Sequence, residues 1–418
     1  MRRAIVLLFI QLIASVAFFI ATVIIARYLG PEDFGDFSAA YSVASVAYIV
    51  SLLGADVIVM NVIAVSMKYQ KKGEVKAFIV YVFIIVAILS IFYYLVAVSA
   101  YWISNNIFLL KYNHPVFVAV IFIPVMALTF FFYRVLISFS KPILANVLFK
   151  ILINFSMLFL ACLMFLVQAF RNSHMAVILF MLAWIITFIV MLFILAKKMK
   201  IFAANRDEIK YKNWLNSGLS GLPYTLALFT LPYLAVIGAE VFLTNEDSVG
   251  IFATAASFSQ VIANNFIACI QSVALAPIAI AIYNKKFFDV RKVLEKNLIV
   301  TGSLCILLIV IVFFFGKEFL LIYGEKYTVG SNILTIFMIT QSIVLTGCLA
   351  APVLLYFKKN KFVFLSSIML MVFLIIFISM LGYIYQEEGL AIGVLLAVFV
   401  IFLIQNIYAY RLTFKNSL

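Results

Sequence analysis

Residues 4–26 form a run of 23 without a single charged side chain, and runs like it recur along the whole chain. About 20 apolar residues in an α-helix cover the hydrocarbon of a bilayer. Twelve such runs are read at about 4–26, 37–66, 77–99, 115–137, 143–167, 175–196, 214–242, 249–283, 297–316, 329–357, 362–385 and 389–410. Hydrophobic residues make up 67% of the chain and charged ones 11%, against about 25% charged in a soluble domain. No water-soluble core hides that much apolar surface, so the solvent is lipid. The expected fold is all-α and polytopic, with twelve transmembrane helices. The first run follows Arg2 and Arg3 as a signal peptide would. It is too long for one, and no small-residue cleavage site follows it, so a retained helix is expected.

Basic residues orient the spans. Of 30 in the chain, 25 fall in one set of alternate segments, including Lys68, Lys71, Lys72, Lys76, Lys197, Lys198, Lys200, Lys285, Lys286, Lys358 and Lys359. The other set holds only Arg27, Lys111, Arg171, Lys317 and Lys326. The positive-inside rule then puts both termini in the cytoplasm. The net charge of +14 is therefore a topology signal and implies the lipid bilayer, not nucleic acid, as partner. Four scattered cysteines and two histidines lack any metal-binding spacing, so no metal is expected.

Between the first two runs stands "GPEDFGD" at 30–36, which has turn chemistry: a proline that fixes φ and glycines that free the backbone. Glu32 and Asp33 suit the start of the next helix, where negative charge is favoured. Arg27, just before the turn, is not explained by it. Six runs later "EDSVGIFATAAS" at 246–257 echoes "EDFGDFSAAYS" at 32–42, with Gly35, Phe37, Ala40 and Ser42 matching Gly250, Phe252, Ala255 and Ser257. An even offset of six helices gives two lobes of the same orientation, a transporter arrangement with the substrate path between them. The expected lobes are 1–200 and 214–418, joined by a charged cytoplasmic linker at 201–213. The loops on the outer side are short, which argues against an enzyme.

Three stretches carry a family likeness: "IIARYLGPEDFGDFSAAYSVASVAYIVSLLGAD" in the first two runs, "FLLIYGEKYTVGSNILTIFMI" at 319–339, and "YRVLISFSKPILANVL" at 133–148. With the length and helix count they resemble the Wzx-type polysaccharide flippases of the multidrug/oligosaccharidyl-lipid/polysaccharide exporter (MOP) superfamily. The resemblance implies two six-helix lobes around a central cavity, as in MATE transporters. It implies alternating access and a lipid-linked oligosaccharide substrate, typically on undecaprenyl pyrophosphate, for O-antigen or capsule. A proton or sodium gradient would drive the cycle in place of any bound cofactor. Polysaccharide polymerase and chain-length machinery are the implied protein partners. Two departures stand out: Asn61 lies in "VIVMNVIA", where relatives often carry an arginine, and the seventh run stays neutral until Glu240. The alternatives are a drug or cation exporter of the same superfamily and a membrane polysaccharide polymerase or ligase. The last would require a long outer loop.

Ionisable groups inside spans are functional candidates, because each costs about 2.5–3.5 kcal/mol near the bilayer centre. Arg27 either snorkels to the outer interface or binds phosphate. Arg134 and Lys150 either reach the cytoplasmic interface or meet the pyrophosphate; Lys150, eight residues into its run, is deep for an interfacial lysine. Asp56 either pairs with a basic neighbour or takes part in ion coupling, and Glu240 is a candidate gate partner of Arg27. Asn61 is a possible sugar contact, about 140° around the helix from Asp56. Ser257, Gln260, Asn264 and Gln271 share one helical face and serve either interhelical hydrogen bonding or sugar hydroxyls.

Overall fold

The computed structural model describes residues 2–68, 72–106, 114–139, 141–167, 170–199 and 211–415, and among them the regular structure is entirely helical. The chain divides into two compact units, Phe9–Leu234 and Met1–Leu8 with Ala235–Leu418. The first contains most of α1 (Arg2–Leu29), then α2 (Pro31–Ser51), α3 (Ala55–Lys68), α4 (Lys72–Asn106), α5 (Val116–Ile121), α6 (Ile123–Ser138), α7 (Pro142–Asn146), α8 (Ile153–Leu166), α9 (Ser173–Met199) and α10 (Tyr211–Phe229). The boundary falls within α11 (Leu231–Phe242). The second unit continues with α12 (Glu246–Tyr283), α13 (Phe287–Leu321), α14 (Ser331–Gly347), α15 (Ala350–Tyr356) and α16 (Asn360–Lys415). The expected linker at 201–213 lies largely outside the described residues, which resume at Tyr211 in α10.

Among the described residues eight helices are long and apolar enough to cross a membrane, or nine if α10 and α11 form one interrupted span. The expected count of twelve differs for local reasons. The run 37–66 is split into α2 and α3 by a break at Leu53 (φ 44) and Gly54 (φ 78). The run 115–137 is split at Phe122 into α5 and α6. The runs 362–385 and 389–410 merge in α16, whose 56 residues would make a straight helix about 84 Å long. That is far beyond the ~30 Å of hydrocarbon.

In fact α16 doubles back. Tyr385 and Gln386 leave helical geometry, the latter at φ 49. Beyond them the chain retraces its path: Gln405 Nε2 donates to Ser366 Oγ at 2.9 Å, and the Phe362 and Tyr408 rings lie 4.3 Å apart. The partners' numbers run in opposite senses, so α16 is an antiparallel hairpin of two membrane-length arms. The arms touch closely because Gly393 has no side chain; a Cβ there would sit 2.8 Å from the Phe377 carbonyl oxygen. Gly393→Val should force the arms apart and cost about 2 kcal/mol, read as an earlier thermal unfolding transition in detergent.

The two echoed phenylalanines are each buried against another ring. Phe37, in the second turn of α2, is buried and meets the edge of Phe180 on α9 with centroids 5.0 Å apart. Phe252, in the second turn of α12, is buried and meets the edge of Phe337 on α14 at 5.1 Å. Ala40 and Ala255, one turn on, are both fully buried. Elsewhere the outward faces suit lipid: Ile84, Ile88, Ile91, Phe92 and Leu95 form one exposed stripe on α4.

Candidate functional site

The rare ionisable groups of the Phe9–Leu234 unit are set at irregular places in its helices. Lys150 lies in a π-helical turn, Val147–Leu152, inserted between α7 and α8. Such turns put an extra residue into a helix and are frequent at functional positions. The Lys150 ammonium is half-buried and donates to Gln11 Oε1 on α1. Gln11 Nε2 in turn donates to Ser15 Oγ at 3.2 Å, and one turn beyond Lys150, Asn154 Nδ2 donates to the Ala14 carbonyl at 3.0 Å. A short polar seam thus joins α1 to α8. Among the described residues Lys150 has no carboxylate partner. A neutral amide leaves its charge uncompensated.

Asp56 is completely buried. It sits in the first turn of α3, immediately after the Leu53–Gly54 break, which supplies a helix N-terminus beside the carboxylate. Neither of its oxygens makes a geometric hydrogen bond. The groups acting on it are the Arg134 guanidinium, the backbone amides of Asp56 and Val57 at the helix start, and the Thr225 hydroxyl. Arg134, on α6, is half-buried. Its guanidinium carbon lies 5.5 Å from the Phe130 ring centroid, and its Nε is buried without a hydrogen-bond acceptor.

Aromatic rings surround these charges. Tyr133 stacks on Phe149 at 4.5 Å and points its hydroxyl at Asn146 Oδ1, 3.4 Å away. Phe149 meets Trp184 edge-on at 5.8 Å. Tyr48 lies 5.7 Å from Phe130 and 5.8 Å from Trp184. The Trp184 Nε1 is buried without a hydrogen-bond partner. Cations beside flat aromatic faces and spare polar atoms match what a phosphorylated sugar offers: charge, hydroxyls and apolar C–H faces.

Arg27 is exposed in the last turn of α1, where a cation also complements the helix C-terminus. Asn61 lies in α3, and its side chain is outside the described residues. Glu240 is half-buried near the end of α11 in the other unit. On α12, Gln260 is half-buried and Asn264 exposed. Gln271 Nε2 donates to the Cys348 carbonyl at 3.2 Å, at the break between α14 and α15, so it does interhelical work. The sequence reading missed Gln11, Thr225 and the rings of Tyr48, Phe130, Tyr133, Phe149 and Trp184. Gln11 had a signal: it is the most polar side chain in the uncharged run 4–26.

A helical, multi-pass membrane protein with charges buried inside its spans is the class so defined. Residues 1–282 match the model of the family described as "Polysaccharide biosynthesis protein", and the chain belongs to that family. Curated proteins yield no match. Solved structures share the fold. An inward-facing multidrug resistance MATE family transporter of the MOP superfamily is 13% identical over 99% of both chains, with a TM-score of 0.73. The Vibrio cholerae MATE transporter VcmN is 15% identical over 99% of this chain and 98% of its own, with a TM-score of 0.62. A MOP superfamily transporter from Pyrococcus furiosus is 14% identical over 99% and 95%, with a TM-score of 0.62. Family and fold together make this a polysaccharide biosynthesis protein built on the fold of the MATE transporters.

Proposed function

We propose that the protein is a flippase that carries an undecaprenyl-pyrophosphate-linked oligosaccharide from the cytoplasmic to the outer leaflet of the bacterial plasma membrane. It works by alternating access under a proton or sodium gradient. The problem it solves is desolvation. Each sugar hydroxyl left unsatisfied in hydrocarbon costs a few kcal/mol, and the diphosphate costs far more. The observation that carries the reading is Lys150, a half-buried ammonium in a π-helical turn whose partner is an amide and not an acid. Together with Arg134 it offers positive charge to a pyrophosphate, while the rings around Phe149 and Trp184 offer flat faces to sugars.

The test is reconstitution of the purified chain into vesicles bearing a fluorescent undecaprenyl-pyrophosphate oligosaccharide in both leaflets. Accelerated loss of inner-leaflet label to an outside quencher is expected. Vesicles that instead accumulate a hydrophobic cation, with no movement of the lipid-linked sugar, would assign the protein to drug export. Rescue of surface polysaccharide in a strain lacking its own flippase is the cellular counterpart.

A further inference from the structure

We infer that Asp56 is the resident counter-ion of Arg134 and competes with the incoming phosphate for it. This rests on the reading of Arg134 as a phosphate contact. Asp56 is fully buried, and both its oxygens lack hydrogen-bond partners. Inside a low-dielectric interior a carboxylate in that state is costly unless an opposite charge lies near. Arg134 of α6 is the cation that acts on it. Among the described residues no second cation acts on it from the other elements around α3: α10 contributes the neutral Thr225 hydroxyl, α2 contributes Tyr48, and α4 brings Glu74 to Ser66 near the far end of α3. Arg134, for its part, has an unused buried Nε and rests over Phe130 without a bidentate carboxylate. Its guanidinium is held by charge and not by hydrogen bonds, a state from which a doubly charged phosphate can take it.

Once phosphate engages Arg134, Asp56 loses its counter-charge. The carboxylate then remains buried and unpaired or takes a proton from water. Binding of the anion and protonation of Asp56 therefore favour each other. In the empty protein the same carboxylate weakens the grip on phosphate, which permits release.

The experiment measures binding of inorganic pyrophosphate to the purified full chain in lipid nanodiscs, for the unaltered protein, Asp56→Asn and Arg134→Gln. Asp56→Asn removes the competitor and should bind about tenfold tighter near neutral pH, a typical coupling between sites. The gap should narrow as the pH falls, because the native carboxylate then accepts its proton more readily. Pyrophosphate's own titration is common to both proteins and cancels from the ratio. Should Asp56→Asn fail to accumulate, Asp56→Ser gives the same comparison. Equal or weaker binding by a folded Asp56 variant, with binding lost in Arg134→Gln, overturns the counter-ion role and leaves the phosphate reading standing. A gap that is constant with pH overturns the proton exchange. An unaltered protein that binds no pyrophosphate removes the phosphate reading of Arg134 and this inference with it.

Discussion

Replacing Lys150 by alanine should lower surface polysaccharide at least about tenfold in cells that depend on this protein, with its membrane level unchanged. A hydrogen bond to a charged group is worth about 1.5–3 kcal/mol, and 1.4 kcal/mol is about a factor of ten in affinity. The effect tests the flippase reading because the alternative for Lys150 is purely architectural: it ties α8 to α1 through Gln11. Gln11→Leu separates the two. It removes the same tether and keeps the charge. If the tether is what matters, Gln11→Leu and Lys150→Ala will be equally defective. If Lys150 meets the pyrophosphate, Gln11→Leu should retain most of the activity. Quantifying polymer on intact cells beside an immunoblot of the membrane fraction reads both outcomes.

The second large effect is expected at Gly54. Leu53 and Gly54 both have positive φ, 44 and 78, and together they break the chain between α2 and α3. A Cβ at position 54 would be strained by the backbone and would collide with the Gly218 carbonyl on α10. Backbone cannot step aside as a flexible side chain can. Gly54→Val should therefore cost more than about 3 kcal/mol, adding left-handed strain to overpacking. The measurement is folded yield and thermal unfolding in detergent. Gly302→Ala is the matched control: it lies within α13 with nothing inside 4 Å of an added Cβ, and should be neutral or slightly stabilising. A Gly54→Val protein as stable as Gly302→Ala would mean that the break does not hold α3 against α10.

Which parts of this were legible in the sequence follows from rarity. Charges are scarce in the spans, so Asp56, Arg134 and Lys150 stood out, and all three lie in one compact unit. The turn before Pro31 was legible because glycine, proline and acids meet there. What abundance hides was not legible. With 44 Phe and 21 Tyr, nothing marked Tyr133 and Phe149, each next to a charge in the chain, as rings that stack on one another, or Phe130 as the ring beside Arg134. Helix breaks inside apolar runs were harder to place: Gly54 and Pro124 stand at two of them, but Gly302 and Pro277 are the same residue types inside long helices. Asp56 therefore read as a mid-helix residue when it begins a helix. Gln271 read as one of a polar stripe, and its acceptor is a carbonyl at a break 77 residues away.

A π-helical turn holds one residue more than the α-helix around it, so Val147–Leu152 is in effect an absorbed insertion. Deleting one of its members, Val147 for instance, would let the segment relax to ordinary winding. The flanking stretches would keep their registers, since the surplus residue contributes to neither. The residues between, Leu148, Phe149 and Lys150 among them, would swing by about 100°, taking the cation away from Gln11. Evolution or an engineer could thus re-aim this cation with a single codon loss, and shortened homologues would be the natural place to look for a different headgroup preference.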